Sequence, residues 1–277
     1  MNNTKNNLSS VNEHVRVHYE IEKELATRLR VSTREERRSL YKSVYDELYQ
    51  RIPFHSQLIR KRDEAISKKD AARQYGLLKH FIFPECRFLE IGPGDCSLSL
   101  EMARHVKEVY AVDVSDEITK RIDSPPNFHL ILSDGTSIPV LPESIDVAYS
   151  RDLMEHLHPD DVSEQLGNIR RALRVGGIYI CVTPNRLCGP HDISRDFDQV
   201  ATGLHLKEYA HYEVADLFRK TGFRKVYAVL SYEGKILTPL LPIFPFLWIE
   251  FVVERLPHAF RKKLGRILIA IKVIGQK

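Results

Sequence analysis

From residue 87 onward the chain alternates short apolar runs with amphipathic stretches of helical period. Phe88–Ile91, Val109–Asp113, Phe128–Leu132, Ile145–Tyr149, Ile178–Val182 and Lys225–Leu230 read as six strands. Between them, Leu98–Arg104, a segment near Asp116–Arg121, Val162–Arg174 and Glu213–Thr221 read as helices. In the third of these Leu166, Ile169 and Leu173 share one side, Gly176-Gly177 stops it, and Gly222 closes the fourth. Strands alternating with helices predict a parallel sheet with helices on both faces.

Residues 11–80 carry a different pattern, helical throughout. Ser32 with Glu35 and Thr33 with Glu36 both have capping-box spacing. After them Leu40, Tyr41, Val44, Tyr45 and Leu48 form one apolar stripe that Pro53 ends. A further helix is expected over Gln57–Gln74, interrupted at Gly76. The polar, Asn-rich residues 1–10 are expected to be disordered. The organisation is then a disordered 1–10, a helical cap over 11–85 and an α/β domain over 86–277.

Ile236–Val253 is almost wholly apolar and touches the lower length limit for a membrane span. Pro239, Pro242 and Pro245 each remove a backbone donor, and Glu250 follows, so a continuous spanning helix is not expected. The 236–265 insertion reads instead as a packed lid or subunit contact. With Arg261, Lys262, Lys263 and Arg266 beside it, a membrane-surface contact through 236–266 is the other reading.

A chain of 277 residues, 43% hydrophobic, can bury a large core. The net charge of +4 is concentrated in residues 1–80, where 17 Lys/Arg face 11 Asp/Glu. A solvated helical face explains that surplus. A polyanionic partner is the alternative, although dedicated nucleic-acid binders concentrate basic residues far more. Cys86, Cys96, Cys181 and Cys188 include no CxxC pair and read as reduced thiols, and the N-terminus has no apolar signal region. Both point to a cytoplasmic protein, peripheral to a membrane if the insertion docks on one.

Candidate chemistry begins at Glu90-Ile91-Gly92-Pro93-Gly94-Asp95, where a strand enters a tight turn. Gly92 and Gly94 let backbone approach a ligand, and a helix N-terminus follows. Asp113 ends the second strand, 21 residues beyond Gly92, placed to accept both hydroxyls of a ribose. Asp134 ends the third strand, where a carboxylate can accept from an adenine amino group, with Gly135 turning beneath the ring.

These elements resemble the class I S-adenosylmethionine-dependent methyltransferases over residues 86–230. Leu89–Gly94 is similar to that family's first motif, Asp113 to its ribose-binding acid and Asp134 to its adenine-binding acid. Glu155-His156-Leu157 resembles the segment of the small-molecule branch that includes quinone-biosynthesis enzymes, and Leu173–Gly177 resembles the turn before strand five. Cys96 stands where many members carry a third glycine. A dinucleotide dehydrogenase would want glycine at Ser97 and would leave Asp134 and Glu155-His156 unexplained.

The resemblance implies a Rossmann-like, seven-stranded, mostly parallel sheet. Its seventh strand, antiparallel at the edge beside the fifth, would be Arg266–Ile274. It also implies S-adenosyl-L-methionine as cofactor, with Glu90 orienting its amino group and the backbone of Arg151 near the sulfonium. The acceptor side is expected in the polar loop after strand five, with His191 as first and His205 as second candidate general base, and His156 as support beneath the cofactor. No metal ligand set is expected, because His191, Asp192 and His205 match no strong spacing. The expected acceptor is a small molecule, methylated at oxygen, and oligomers are allowed. An RNA or protein methyltransferase docking through the basic N-terminal helices, and a non-catalytic cofactor-binding protein, are the alternatives.

Overall fold

The computed structural model describes residues 2–55, 58–59, 63–115, 124–238, 240–257, 260–261 and 270–277, with side chains from residue 13 onward. Among the described residues three helices of known bounds precede the sheet: α1 (Asn2–Val31), α2 (Arg34–Arg51) and α3 (Glu64–Leu78). α2 starts at the second of the two expected capping boxes, Thr33 with Glu36. The backbone of residues 2–10, expected as disordered, continues α1, since extending a formed helix costs little per residue. Gly76 does not interrupt α3. A Cβ there would lie 2.8 Å from the Gly234 carbonyl, so this glycine serves close packing.

The alternating part follows as β1 (Arg87–Ile91), α4 (Ser97–Met102), β2 (Glu108–Asp113), β3 (Phe128–Leu132), β4 (Ile145–Arg151), α5 (Pro159–Ala172) and β5 (Leu173–Pro184). Then come α6 (His211–Lys220), β6 (Lys225–Ala228), the hairpin β7 (Ser231–Tyr232) and β8 (Lys235–Ile236), β9 (Leu241–Pro242), α7 (Phe244–Glu254) and β10 (Ala270–Gln276). The helix expected near Asp116–Arg121 lies outside the described residues.

The main sheet has eight strands rather than seven, in the order β3-β2-β1-β4-β5-β10-β6-β9. β3 through β5 pair in parallel, and β10 runs antiparallel to both β5 and β6. The last strand is therefore interior, not at the edge. The edge is capped by β9, whose Leu241 and Pro242 pair with β6; a proline lacks the N–H that an open edge would expose.

Reversal at β1 sends β2 and β3 to one side and β4 onward to the other, so the crevice beyond the strand C-termini opens there. One continuous apolar core joins Leu25, Leu29, Val44 and Leu48 of α1 and α2 to Leu89, Ile91 and Val112 of the sheet. The cap is bolted to α5 by a buried network. Arg37 donates to both Asp161 oxygens at 2.6 and 2.7 Å, and the Tyr41 hydroxyl donates to the same carboxylate at 2.8 Å.

α7 has its charge inside and its apolar side chains outside. Glu250 is buried against His211 at 2.7 Å and Asn185 at 2.8 Å, whereas Phe244, Trp248 and Phe251 are exposed. No helix among the described residues is long and apolar enough to cross a membrane. All four cysteines are unpaired.

Candidate active site

The turns leaving β1, β2 and β3 form one wall of a cleft, and α2 forms the opposite wall. The space between them is about 860 Å³, including the part open to solvent. On the sheet side Gly92 and Gly94 adopt φ of 69° and 57°, left-handed backbone that a side chain resists. A Cβ on Gly94 would meet nothing within 4 Å, so this turn leaves open room directly over the N-terminus of α4. Cys96, where a third glycine is usual in the resemblance, holds the same conformation at φ 58°.

Asp113 lines the cleft at the tip of β2. Its Oδ1 accepts from the Val114 and Ser115 amides at 2.7 and 3.3 Å, which fixes the carboxylate. Gly135 also lines the cleft, with φ 92°, and a Cβ there would lie 2.8 Å from the Tyr41 ring. A flat group entering beside the Tyr41 ring would find bare backbone at Gly135.

The carboxylate of Asp134 does not face the cleft. It accepts from the amides and the hydroxyls of Thr136 and Ser137, at 2.7 to 3.2 Å, and so caps its own turn. Partial burial acts to raise its pKa, but these four hydrogen bonds prevail and hold it below the usual carboxylate range. The flanking residues Ser133, Gly135 and Ser137 line the cleft instead.

Glu90 is likewise beneath the cleft, not in its lining. It points to α4, where the Ser99 hydroxyl donates to it, and burial raises its pKa to about 8. Arg151 turns to the other sheet face. Side chains alternate along β4, so it projects toward α3 and pairs with Asp70 at 2.9 Å. Asp152 and Leu153, which follow it, line the cleft.

Neither candidate general base lines the cleft. His191 is tied within its loop, its Nε2 3.0 Å from the Asn185 carbonyl oxygen and its amide donating to Glu208 at 2.6 Å. His205 is buried behind the wall, with Nδ1 2.8 Å from Glu208 Oε1. Burial disfavours its charge, but the Glu208 hydrogen bond and the nearby Glu155 and Glu208 carboxylates outweigh this and raise its pKa to about 9.

The histidine at the cleft is His156. Its Nδ1 lies 3.0 Å from the Leu204 carbonyl oxygen. A carbonyl only accepts, so Nδ1 carries the proton and Nε2 the lone pair. Burial, and then the charge of His205, lower its pKa to about 3, so the ring is neutral. Beside it stands Glu155, buried, with Oε2 accepting from Thr183 at 2.8 Å; burial raises its pKa.

Sequence reasoning also missed the opposite wall. Tyr41, Tyr45 and Tyr49 follow one another at i, i+4 and i+8, one helix face, and all three line the cleft. Tyr41 and Tyr45 lay in the predicted apolar stripe. The signal was the repetition of one amphipathic residue type on that stripe, which a purely hydrophobic face does not require.

Residues 89–181, spanning β1 to β5 and both the glycine turn and Asp113, match the family model described as a methyltransferase domain. The matched stretch is a methyltransferase domain. No curated protein matches it by sequence. Among solved structures it is similar in fold to an S-adenosylmethionine-dependent methyltransferase from Archaeoglobus fulgidus. That likeness has 19% identity, 76% of this chain and 94% of the other covered, and a TM-score of 0.52. It is also similar to phosphoethanolamine N-methyltransferase 2 from Haemonchus contortus, solved with phosphomonomethylethanolamine and S-adenosylhomocysteine. There the identity is 18%, with 74% of this chain and 52% of the other covered, at a TM-score of 0.53. The methyltransferase described here thus spans about half the length of the Haemonchus enzyme. The same nematode enzyme holds S-adenosylmethionine in a second structure.

Proposed function

We propose that this chain is a class I S-adenosylmethionine-dependent methyltransferase that transfers a methyl group to a hydroxyl of a small-molecule acceptor, with His156 Nε2 accepting that hydroxyl's hydrogen bond and orienting it. The observation that carries this reading is a neutral imidazole in the wall of the cofactor cleft, its Nδ1 proton fixed by the Leu204 carbonyl. Burial and the His205 charge make the ring a weak base, so its part is to align the hydroxyl for in-line attack.

S-adenosylmethionine supplies a methyl carbon activated by its sulfonium charge. The residues fit that cofactor: the open backbone at Gly92 and Gly94 would receive its amino-acid part, Asp113 its ribose, and the floor at Gly135 its adenine. Asp134 shapes that floor through its turn. Tyr41, Tyr45 and Tyr49 close the cleft against water and help hold donor and acceptor in line, the main demand of methyl transfer.

The small-molecule reading is supported by what the basic N-terminal residues do. Arg28 pairs with Glu47, Arg51 with Glu24 and Glu47, Arg34 with Glu164, and Arg37 with Asp161. The last two pairs reach acids outside residues 1–80 and so offset part of the surplus, which weakens the field for a polyanion.

The test is transfer of an isotopically labelled methyl group from S-adenosylmethionine into a fractionated metabolite extract, with mass spectrometry and NMR of the product. A labelled methoxy group on a small molecule is expected. Label confined to RNA or protein would overturn the small-molecule reading, and a labelled N-methyl product would overturn the oxygen assignment.

A further inference from the structure

We infer that His18, Glu22 and His55 form a binding site for one divalent transition-metal cation of the zinc class, which clamps α1 to the end of α2. His18 and Glu22 are four residues apart on α1 and so share a helix face; His55 enters from just beyond α2. Glu22 Oε1 lies 2.7 Å from His18 Nε2 and 3.7 Å from His55 Nε2. Three ligands around a tetrahedral zinc stand about 3.3 Å apart when the metal–ligand bonds are near 2.05 Å. The two separations bracket that figure, and side-chain shifts of well under an ångström would equalise them.

Two further observations point to a cation. The three side chains are 8–14% exposed, and among the described residues the ion-pair partners of Glu22 are these two imidazoles. A buried carboxylate needs compensating charge, which a bound cation supplies. The second oxygen, Oε2, is held by the Leu204 amide at 3.3 Å, the kind of outer contact that orients a ligating carboxylate and leaves Oε1 for metal. Two imidazoles and one carboxylate form a donor set suited to zinc, cobalt or iron(II), and unlike the all-oxygen sets of magnesium and calcium. With three protein ligands, a water completes the shell.

The site adjoins the proposed chemistry through Leu204, whose amide donates to Glu22 and whose carbonyl oxygen faces His156 Nδ1. The His55 ring packs 5.7 Å from that of Tyr49, which lines the cleft, so a bound cation would stiffen the tyrosine wall.

The full, untagged chain, stripped with chelator, should be titrated with zinc and separately with cobalt(II), with heat and visible absorption recorded. One equivalent of zinc, visible d–d bands with cobalt, and a rise in melting temperature are expected. His55→Asn should weaken zinc by at least about 100-fold, beyond what outer-contact changes produce, and lose the thermal shift. Its circular dichroism in chelator checks that it folds, and His18→Gln serves as the second variant should it not. His205→Gln, altering the other histidine–carboxylate cluster, should keep the site. Absence of stoichiometric zinc in the wild type, or zinc retained by His55→Asn and lost from His205→Gln, would overturn the assignment.

Discussion

The rings of His156 and His205 stand edge to face, centroids 4.8 Å apart at 83°, the first in the cleft wall and the second behind it. Glu208 holds the rear ring charged, and that charge helps keep the front ring neutral. His156→Gln should therefore lower turnover of a hydroxyl acceptor by about 10²-fold, the scale of a lost positioning contact. Affinity for S-adenosylhomocysteine should stay unchanged. Steady-state kinetics with the acceptor recovered from the extract, and calorimetry without it, separate the two effects; undiminished turnover would remove His156 from the chemistry.

The same pair predicts a pH signature in stability. The folded pKa of His205 is raised from 6.5 to about 9. Between those values the folded state binds the proton more tightly than the unfolded state. The contribution is fully present below pH 6.5 and is lost as pH rises through about 9. Glu90, raised to about 8, loses stability with rising pH in an overlapping window. The diagnostic is thus the difference between wild type and His205→Gln in melting temperature from pH 6 to 10, which should shrink across that window. A flat difference would refute the charged state of His205.

Arg37 and Asp161 form a two-pronged ion pair, with side chains 3% and 1% exposed. Arg37→Ala leaves Asp161 buried with only Tyr41 as side-chain donor, so it should destabilise the fold by about 3–5 kcal/mol, the range for breaking a buried pair. Urea unfolding measures this. A loss below 1 kcal/mol would mean that water readily replaces the guanidinium.

Gly135→Ala should weaken cofactor binding and lower stability by about 1–2 kcal/mol, the cost of left-handed backbone in a residue with a side chain. The added methyl group also meets the Tyr41 ring at 2.8 Å, closing the floor of the cleft. Melting temperature and cofactor affinity should fall together; a stable variant with normal affinity would place the ligand elsewhere.

The sheet was legible because strand periodicity and the glycine turn are local signals. β1 to β6 fall within a few residues of their expected positions, and Gly92, Gly94, Asp113 and Gly135 gather around one cleft. What escaped was directional or long-range. Asp134 sits at the expected strand tip, but its carboxylate turns back onto Thr136 and Ser137, a choice made by the next three residues. The Arg151 side chain is drawn to the other sheet face by Asp70, 81 positions earlier, a partner that no local signal marks. His191 and His205 could not be ranked from sequence, since their partners Asn185 and Glu208 depend on how the loop after β5 folds. β9 at the edge is two residues long, too short to carry a periodic signal.

The account rests on a nucleoside held between the tip of β2 and the tyrosine wall. Calorimetric titration of S-adenosylhomocysteine into wild type and Asp113→Ala tests it most directly. One-to-one binding by the wild type is expected, weakened by about 1–3 kcal/mol in the variant, the scale of charge-assisted hydrogen bonds to a carboxylate. Equal affinities, or no binding by the wild type, would contradict it.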